Sequence, residues 1–361
     1  MFSITMNCRK ISVLILVLTF TVLNIHAAVE PGSDGDSLHA ETYSSEFDAN
    51  KFIIAHIKDS HEWHILTTMK GHHVSIPLPV ILYSKSSGFH CFMSNKISHG
   101  HTYKGFQKNE DGEHAGSIVE INDSNEVIGR PLDFSITKNV AGMIVSVSFM
   151  MFFFIRMGSI YKKIGNTMPK GINSFIEPLI IFIRDNIAIP NIGESKYEKF
   201  IPYLLTVFFF ILINNIFGLI PIFPFGANIT GNIAVTLILA MFTLVITNIN
   251  GTKQYWKHIY STPGVPVWLY PLMIPVEVIG IFTKPFALMI RLFANITAGH
   301  IIMLSLVSLI FIFKSLAVAP ISVILVLFMN FMELLVAFLQ AYIFTLLSAL
   351  FIGLSVKEHH H

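Results

Sequence analysis

Residues 269–313 read LYPLMIPVEVIGIFTKPFALMIRLFANITAGHIIMLSLVSLIFIF. These 45 residues are apolar almost throughout, yet they contain Glu277, Lys284, Arg291 and His300. As one helix they would run about 67 Å at 1.5 Å per residue, more than twice a bilayer core of roughly 30 Å. Such a helix must be steeply tilted or partly interfacial, and Pro271, Pro275 and Pro285 are expected to bend it. The next apolar stretch, Ile321–Val356, is 36 residues long and contains Glu333 and Gln340. Two consecutive over-long membrane helices carrying ionisable groups decide the fold class.

Working outward, the same reading extends over the second half of the chain. Phe200–Thr252 has no charged residue across 53 positions, enough for two spans, with a break in Pro221–Asn232 (PIFPFGANITGN). Val140–Ile155 is uncharged, continues through Met157–Tyr161, and is followed by Arg156, Lys162, Lys163 and Lys170. The positive-inside rule puts that basic end in the cytoplasm. Phe175–Ile189 is interrupted by Glu177, Pro178, Arg184 and Asp185, and reads as a helix lying along the interface. Lys314 marks a short outer turn between the two long helices. The expected fold is an all-α polytopic membrane protein. It has five transmembrane helices plus an interfacial helix, the last two membrane helices being long and tilted.

Charge divides the 361-residue chain in two. Residues 29–138 hold 9 Lys/Arg and 15 Asp/Glu, whereas residues 139–361 hold 13 and 7 in twice the length. The first part is therefore water-compatible and acidic, and the boundary falls at Pro131–Lys138. Arg9 and Lys10, the apolar run Ile11–Ile25 and the small pair Ala27–Ala28 have the order of a signal peptide. The expected domains are a signal peptide at 1–28, an exported, histidine-rich extension at 29–137 and a membrane ion-channel domain at 138–361. Short apolar runs at Phe52–Ile57, Ile76–Tyr83 and Phe89–Met93, between Gly, Ser, Asn and Asp clusters, read as strands and turns. Ten of the 16 histidines fall in this extension, among them His61, His64, His72, His73, His99 and His101. Their spacings fit no closed zinc pattern, so they read as a solvated surface and no metal site is expected. Cys8 lies in the signal peptide and Cys91 stands alone, which leaves no internal disulfide. A net charge of +2 excludes a phosphate-seeking surface for nucleic acid.

A charge at a helix centre costs about 2.5–3.5 kcal/mol on insertion scales, so each one needs a reason. Glu277, Lys284 and Arg291 are spaced by sevens, close to two full turns, and Asn295 continues the same seam. His300, nine residues past Arg291, points to the opposite side at 100° per residue. Glu333 and Gln340 share a face of the following antiparallel helix, where Glu333 can meet His300 as a titratable couple. Lys284 reads as a packing charge or a neutraliser of Glu277. Arg291 is different, because a guanidinium stays charged at any biological pH. It fixes a positive potential between titratable groups, which stops direct leakage and expels a proton from a passing carboxylate.

The stretches Arg291–His300 (RLFANITAGH) and Glu333–Phe344 (ELLVAFLQAYIF) resemble the subunit a family of F-type ATP synthases. Further matches are Phe200-Ile-Pro202, NNIFGLIP at 214–221, and Val276-Glu277 leading to Lys284-Pro285, so the resemblance covers about residues 138–356. It implies a stator in the Fo sector of a bacterial inner membrane, holding two offset proton half-channels against a rotating c-subunit ring. A b-subunit peripheral stalk is a further implied partner, alongside the lipid bilayer. Arg291 is then similar to the essential stator arginine, with Asn295 and Gln340 as its polar neighbours. His300 and Glu333 correspond to the outer half-channel pair and Glu277 to the inner carboxylate. Many bacterial relatives carry the acid and the histidine in exchanged positions. The 100-residue extension lies outside the common core. The resemblance implies no cofactor and no catalysis by this chain alone, and no P-loop motif is present.

Two other classes remain as alternatives. An independent ion-coupled secondary transporter predicts inverted repeats around a midplane site, and no such repeat is evident. An intramembrane hydrolase requires H-E-x-x-H or a serine elbow, neither of which occurs. A sodium-coupled version of the same subunit is the third alternative.

Overall fold

A computed structural model describes residues 49–67, 73–98, 101–109, 116–122, 127–164, 172–220, 224–261, 266–313 and 318–357. The signal peptide expected at 1–28, the turn expected at Lys314 and the terminal histidines lie outside the described residues. The first part is a small mixed domain: helix α1 (Ala49–Ile57), then strands β1 (Glu62–Thr67), β2 (His73–Pro77), β3 (Pro79–Ser84), β4 (Gly88–Met93), β5 (Phe106–Lys108), β6 (Ile118–Ile121), β7 (Val127–Gly129) and β8 (Leu132–Asp133). All pairings are antiparallel, in sheets ordered β1-β2, β4-β3-β8 and β5-β6-β7. The β3–β4 hairpin runs in register from Pro79 opposite Met93 to Ser84 opposite Gly88. Gly88 closes its turn at φ +83°, a conformation that penalises any side chain. Along β3 the side chains of Val80, Leu82 and Ser84 are buried, and Phe92, Ile97, Phe106 and Ile118 complete the core.

Two readings of this domain need correction. Phe52–Ile57, expected as a strand, is the body of helix α1, which packs against the long membrane helix Tyr270–Phe313. A helix–helix contact with a distant part of the chain decides its structure, and no local pattern announces it. His61, expected on a solvated surface, is buried, with Nε2 2.9 Å from Asp133 Oδ2.

The membrane part contains α2 (Lys138–Ile164), α3 (Ile172–Phe182), a π-helical turn (Ile183–Ala188), α4 (Ile189–Ile192), α5 (Tyr197–Leu219), α6 (Ile233–Ile249), α7 (Lys253–Tyr260), α8 (Tyr270–Phe313) and α9 (Ala319–Val356). Four of these, α2, α5, α8 and α9, are long and apolar enough to cross a membrane. The fifth expected span, α6, reaches that standard only together with α7, to which it is bent by 102°. The expected interfacial stretch is helical from Ile172 to Ile192, with Ile183, Ile187 and Ala188 buried and Asp185 and Asn186 exposed. It stops at Gly193, whose φ of +100° ends the helix. Helix α8 runs unbroken through Pro275 and Pro285.

α5 is the central post. Leu204, Leu205, Val207, Phe208, Phe210 and Ile211 are fully buried, as expected of a helix apolar on all sides. In lipid, apolar burial gives helices no preference for one another, so packing and polar contacts must hold the bundle. Tyr203 Oη and Thr243 Oγ1 are 2.7 Å apart, and Thr243 Oγ1 is 3.2 Å from Ser348 Oγ, tying α5, α6 and α9 together. Asn232 and Thr252 cap α6 and α7 by accepting from Ala234 N and Tyr255 N. The described chain is thus mostly helical with a β-containing first domain. It is an integral, multi-pass membrane protein.

Candidate functional site: a buried His–Glu couple on two uncovered helices

His300 on α8 and Glu333 on α9 meet, with Nδ1 3.8 Å from Oε1 and only 17% and 6% of the two side chains exposed. The two groups face each other in close polar contact, just beyond hydrogen-bonding range. Glu333 Oε2 is buried without a hydrogen-bond partner among the protein atoms. A buried carboxyl with an orphaned oxygen is costly to keep, which marks this position for a role beyond packing. The neighbour that admits Glu333 is Gly299. A Cβ there would lie 3.0 Å from Glu333 Oε1 and 3.2 Å from Cδ. On the other side, a Cβ at Gly218 of α5 would lie 3.8 Å from His300 Nε2.

One turn before Gly218, Asn215 fixes the surroundings. Its Nδ2 donates to the Ala337 carbonyl of α9 at 3.2 Å, and its Oδ1 accepts from Thr230 Oγ1 at 2.5 Å. Thr297 Oγ1 of α8 in turn donates to the Gly231 carbonyl at 3.4 Å. The loop between α5 and α6 is therefore bonded to α8 directly and to α9 through Asn215.

The other residues singled out in the sequence stand elsewhere. Arg291 and Asn295 are exposed on the opposite flank of α8, in a row with Ala287, Ala294 and Ala298. Gln340 is buried two turns along α9 from Glu333. Lys284 is exposed, its Nζ 5.8 Å above the Phe351 ring. Glu277 is half-buried and within electrostatic reach of Tyr255, whose hydroxyl donates to Asn248 Oδ1 at 3.2 Å. Tyr255 and Asn248 line a cleft together with Thr243, Thr247, Lys284 and Phe351. Thr247 Oγ1 there is buried and unpartnered. This small, mostly apolar cleft at one end and the His–Glu couple at the other are thus separated along α8, with Arg291 between them.

What α8 and α9 lack is cover. In the most apolar window of each, only 11% of α8 and 17% of α9 is buried, against 72% for α5. Gly299, Gly218 and the Asn215–Thr230 contact escaped the sequence reading. A glycine beside a membrane histidine and a paired asparagine were the signals available for them.

A multi-pass membrane protein with a buried titratable couple and a fixed charge on an uncovered flank defines the class of an ion-translocating subunit. The ATP synthase A chain family model matches residues 140–353, and the chain belongs to that family. Residues 52–134 match a domain of unknown function. An ATP synthase subunit a of Chloroherpeton thalassium is 48% identical over 235 residues, covering 63% of this chain and 69% of that protein. An ATP synthase subunit a 2 of Chlorobaculum tepidum is 51% identical over 240 residues, 64% of this chain and 66% of that one. An ATP synthase subunit a of Myxococcus xanthus is 46% identical over 236 residues, 64% and 76% of the two chains.

Proposed function

We propose that this chain is the proton-translocating stator subunit of an Fo sector, with Arg291 as the group that separates two half-channels. Family membership supports the role in an ATP synthase complex. The observation that carries the finer reading is the placement of Arg291. It stands exposed on the uncovered flank of α8, while the His300–Glu333 couple is buried on the other side. A ring of c subunits bearing membrane carboxylates covers that flank, and the b-subunit stalk and the rest of the synthase hold the chain still. Catalysis on ATP belongs to those partners.

In this reading residues 1–28 are a signal peptide and residues 29–137 lie outside the cytoplasm. The membrane domain, 138–361, ends in the cytoplasm, in a bacterial inner membrane. A proton from the outer side loads through His300 and Glu333 and passes to a ring carboxylate. After rotation it leaves through the cleft of Thr247, Asn248 and Tyr255, past Glu277. Arg291 attracts each returning carboxylate in its ionised form and expels its proton, because a nearby positive charge favours the charged acid. Asn295 and Gln340 are the polar neighbours on either side of this exchange.

The test is Arg291→Ala in the assembled synthase, reconstituted in liposomes beside the wild type. The expected result is loss of coupled proton pumping with assembly intact, accompanied by a passive proton leak. Persistent coupled pumping makes Arg291 a packing residue and overturns the reading.

A further inference from the structure

Helix α7 has the sequence KQYWKHIY and is pinned at both ends. At its start, Thr252 N and Thr252 Oγ1 both donate to the Ser355 carbonyl of α9, at 2.9 and 3.2 Å. Just past its end, Ser261 Oγ lies 3.2 Å from Oη of Tyr270, the first residue of α8. Ile259 is buried beneath it, and Tyr255 turns inward to Asn248. Helix α6 carries no ionisable side chain and packs along α8. A helix bent 102° from α6 therefore runs along the membrane surface rather than through it.

The outward flank of α7 is cationic and aromatic. Lys253 and Lys257 are one turn apart and both exposed. Trp256 and Tyr260 are also one turn apart, their rings stacked with centroids 6.3 Å apart at 20°. At 100° per residue these four side chains share an arc of about 100°, and Tyr255, two residues from each lysine, points the opposite way. Beyond the flank the exposed apolar surface of α8 begins, with Trp268 and Leu272. The chain carries no acidic residue from Lys199 through Val276. Lys199 adds another cation, its Nζ donating to Asn250 Oδ1 at 2.5 Å just before α7. Of the nearby acids, Glu194 and Glu198 stand where the chain enters α5, and Glu277 of α8 lies toward Tyr255, away from the lysines.

We propose that this flank of α7 docks on the headgroups of anionic phospholipids. The Lys253 and Lys257 ammonium groups take the phosphate, and the stacked Trp256–Tyr260 pair sits where headgroup gives way to acyl chain. Charged, then aromatic, then apolar surface is the order met on passing into a bilayer. Two lysines with no acid on the same helix supply the complementary charge, each worth about fivefold near an anionic surface. The assignment needs only the membrane embedding of the chain and is independent of the half-channel reading.

The test is lipid photocrosslinking in the assembled synthase, reconstituted in phosphatidylcholine vesicles. The vesicles carry a trace of photoreactive phosphatidylglycerol or, in parallel, of photoreactive phosphatidylcholine, with the label next to the headgroup. Mass spectrometry then maps the labelled peptides. The peptide holding residues 253–260 is expected to take the anionic probe about tenfold or more over the zwitterionic one, a preference that shrinks as salt is raised. Lys253→Gln and Lys257→Gln each lower that preference about fivefold, and the two together abolish it. Lys253→Arg with Lys257→Arg keeps it, which separates the loss of charge from damage to the fold. Equal labelling by the two probes in the wild type means apolar seating alone and overturns the proposal. Crosslinking of α7 to another subunit in place of lipid overturns it as well, because a protein then covers the flank. A preference that survives the paired glutamines puts the anionic lipid elsewhere and removes the assignment to α7.

Discussion

At the residue scale the couple depends on an absent side chain. Gly299 gives Glu333 room that a methyl group would take, at 3.0 Å from Oε1. Gly299→Ala favours the helix by about 1 kcal/mol, so the thermal stability of the purified subunit should hold or rise. Proton-driven ATP synthesis should nevertheless fall about tenfold or more, since a carboxylate displaced by a fraction of an ångström transfers its proton poorly. Parallel thermal melts and synthesis rates check both halves. His300 and Glu333 were legible in the sequence because ionisable groups in apolar runs are expensive, and helical spacing separates them from Arg291. Gly299, Gly218 and Asn215 were not legible in this role. Each acts through a neighbour far away in the chain, and spacing along one helix carries no such information.

At the element scale, length and charge placement were enough to find α2, α5, α8 and α9. Residues that place no charge in lipid for 20 positions or more have few other structures open to them. The pair α6–α7 shows the limit of that reasoning. Composition gave one more span after α5, but Asn250-Gly251-Thr252 turns the chain through 102°. The identity of α1 was invisible for another reason, since its partner α8 begins more than two hundred residues later. Close packing between elements also sets a testable constraint at the opposite end of the bundle. Gly353 of α9 lies against the Asn191 backbone of α4 so closely that a Cβ would collide with its carbonyl. Gly353→Ala should therefore destabilise the subunit by about 1–3 kcal/mol through overpacking. Thermal unfolding of the purified protein reads that loss.

At the scale of the whole molecule, the charge partition put the boundary between the two parts at Pro131–Lys138, a stretch that a sequence pattern alone leaves without a structure. There the chain is held throughout: β8 pairs with β3, and Phe134 N and Ile136 N continue that pairing to the Ile81 and Pro79 carbonyls up to the start of α2. The His61–Asp133 contact secures this seam. Burial works against an ionised Asp133, but the hydrogen bonds from His61 and Ser135 prevail and hold its carboxyl below the ordinary value. A folded value below the unfolded one adds stability above the unfolded value, near 3.9. That contribution is lost as pH falls through the folded value. Amide protection in β3 and β8 of the full-length protein should stay level down to about pH 4 and weaken below it. Asp133→Asn should lower that protection by about 1–3 kcal/mol at neutral pH and remove the acid-dependent step. The start of α2 also joins the two parts. Two leading amides of that helix, Lys138 N and Asn139 N, find their acceptors on Ser60 and Asp59, so the first turn of the helix is completed by the first domain. Unfolding the first domain would hand those two amides to water, so loosening of the sheet is felt as fraying at the start of a membrane helix.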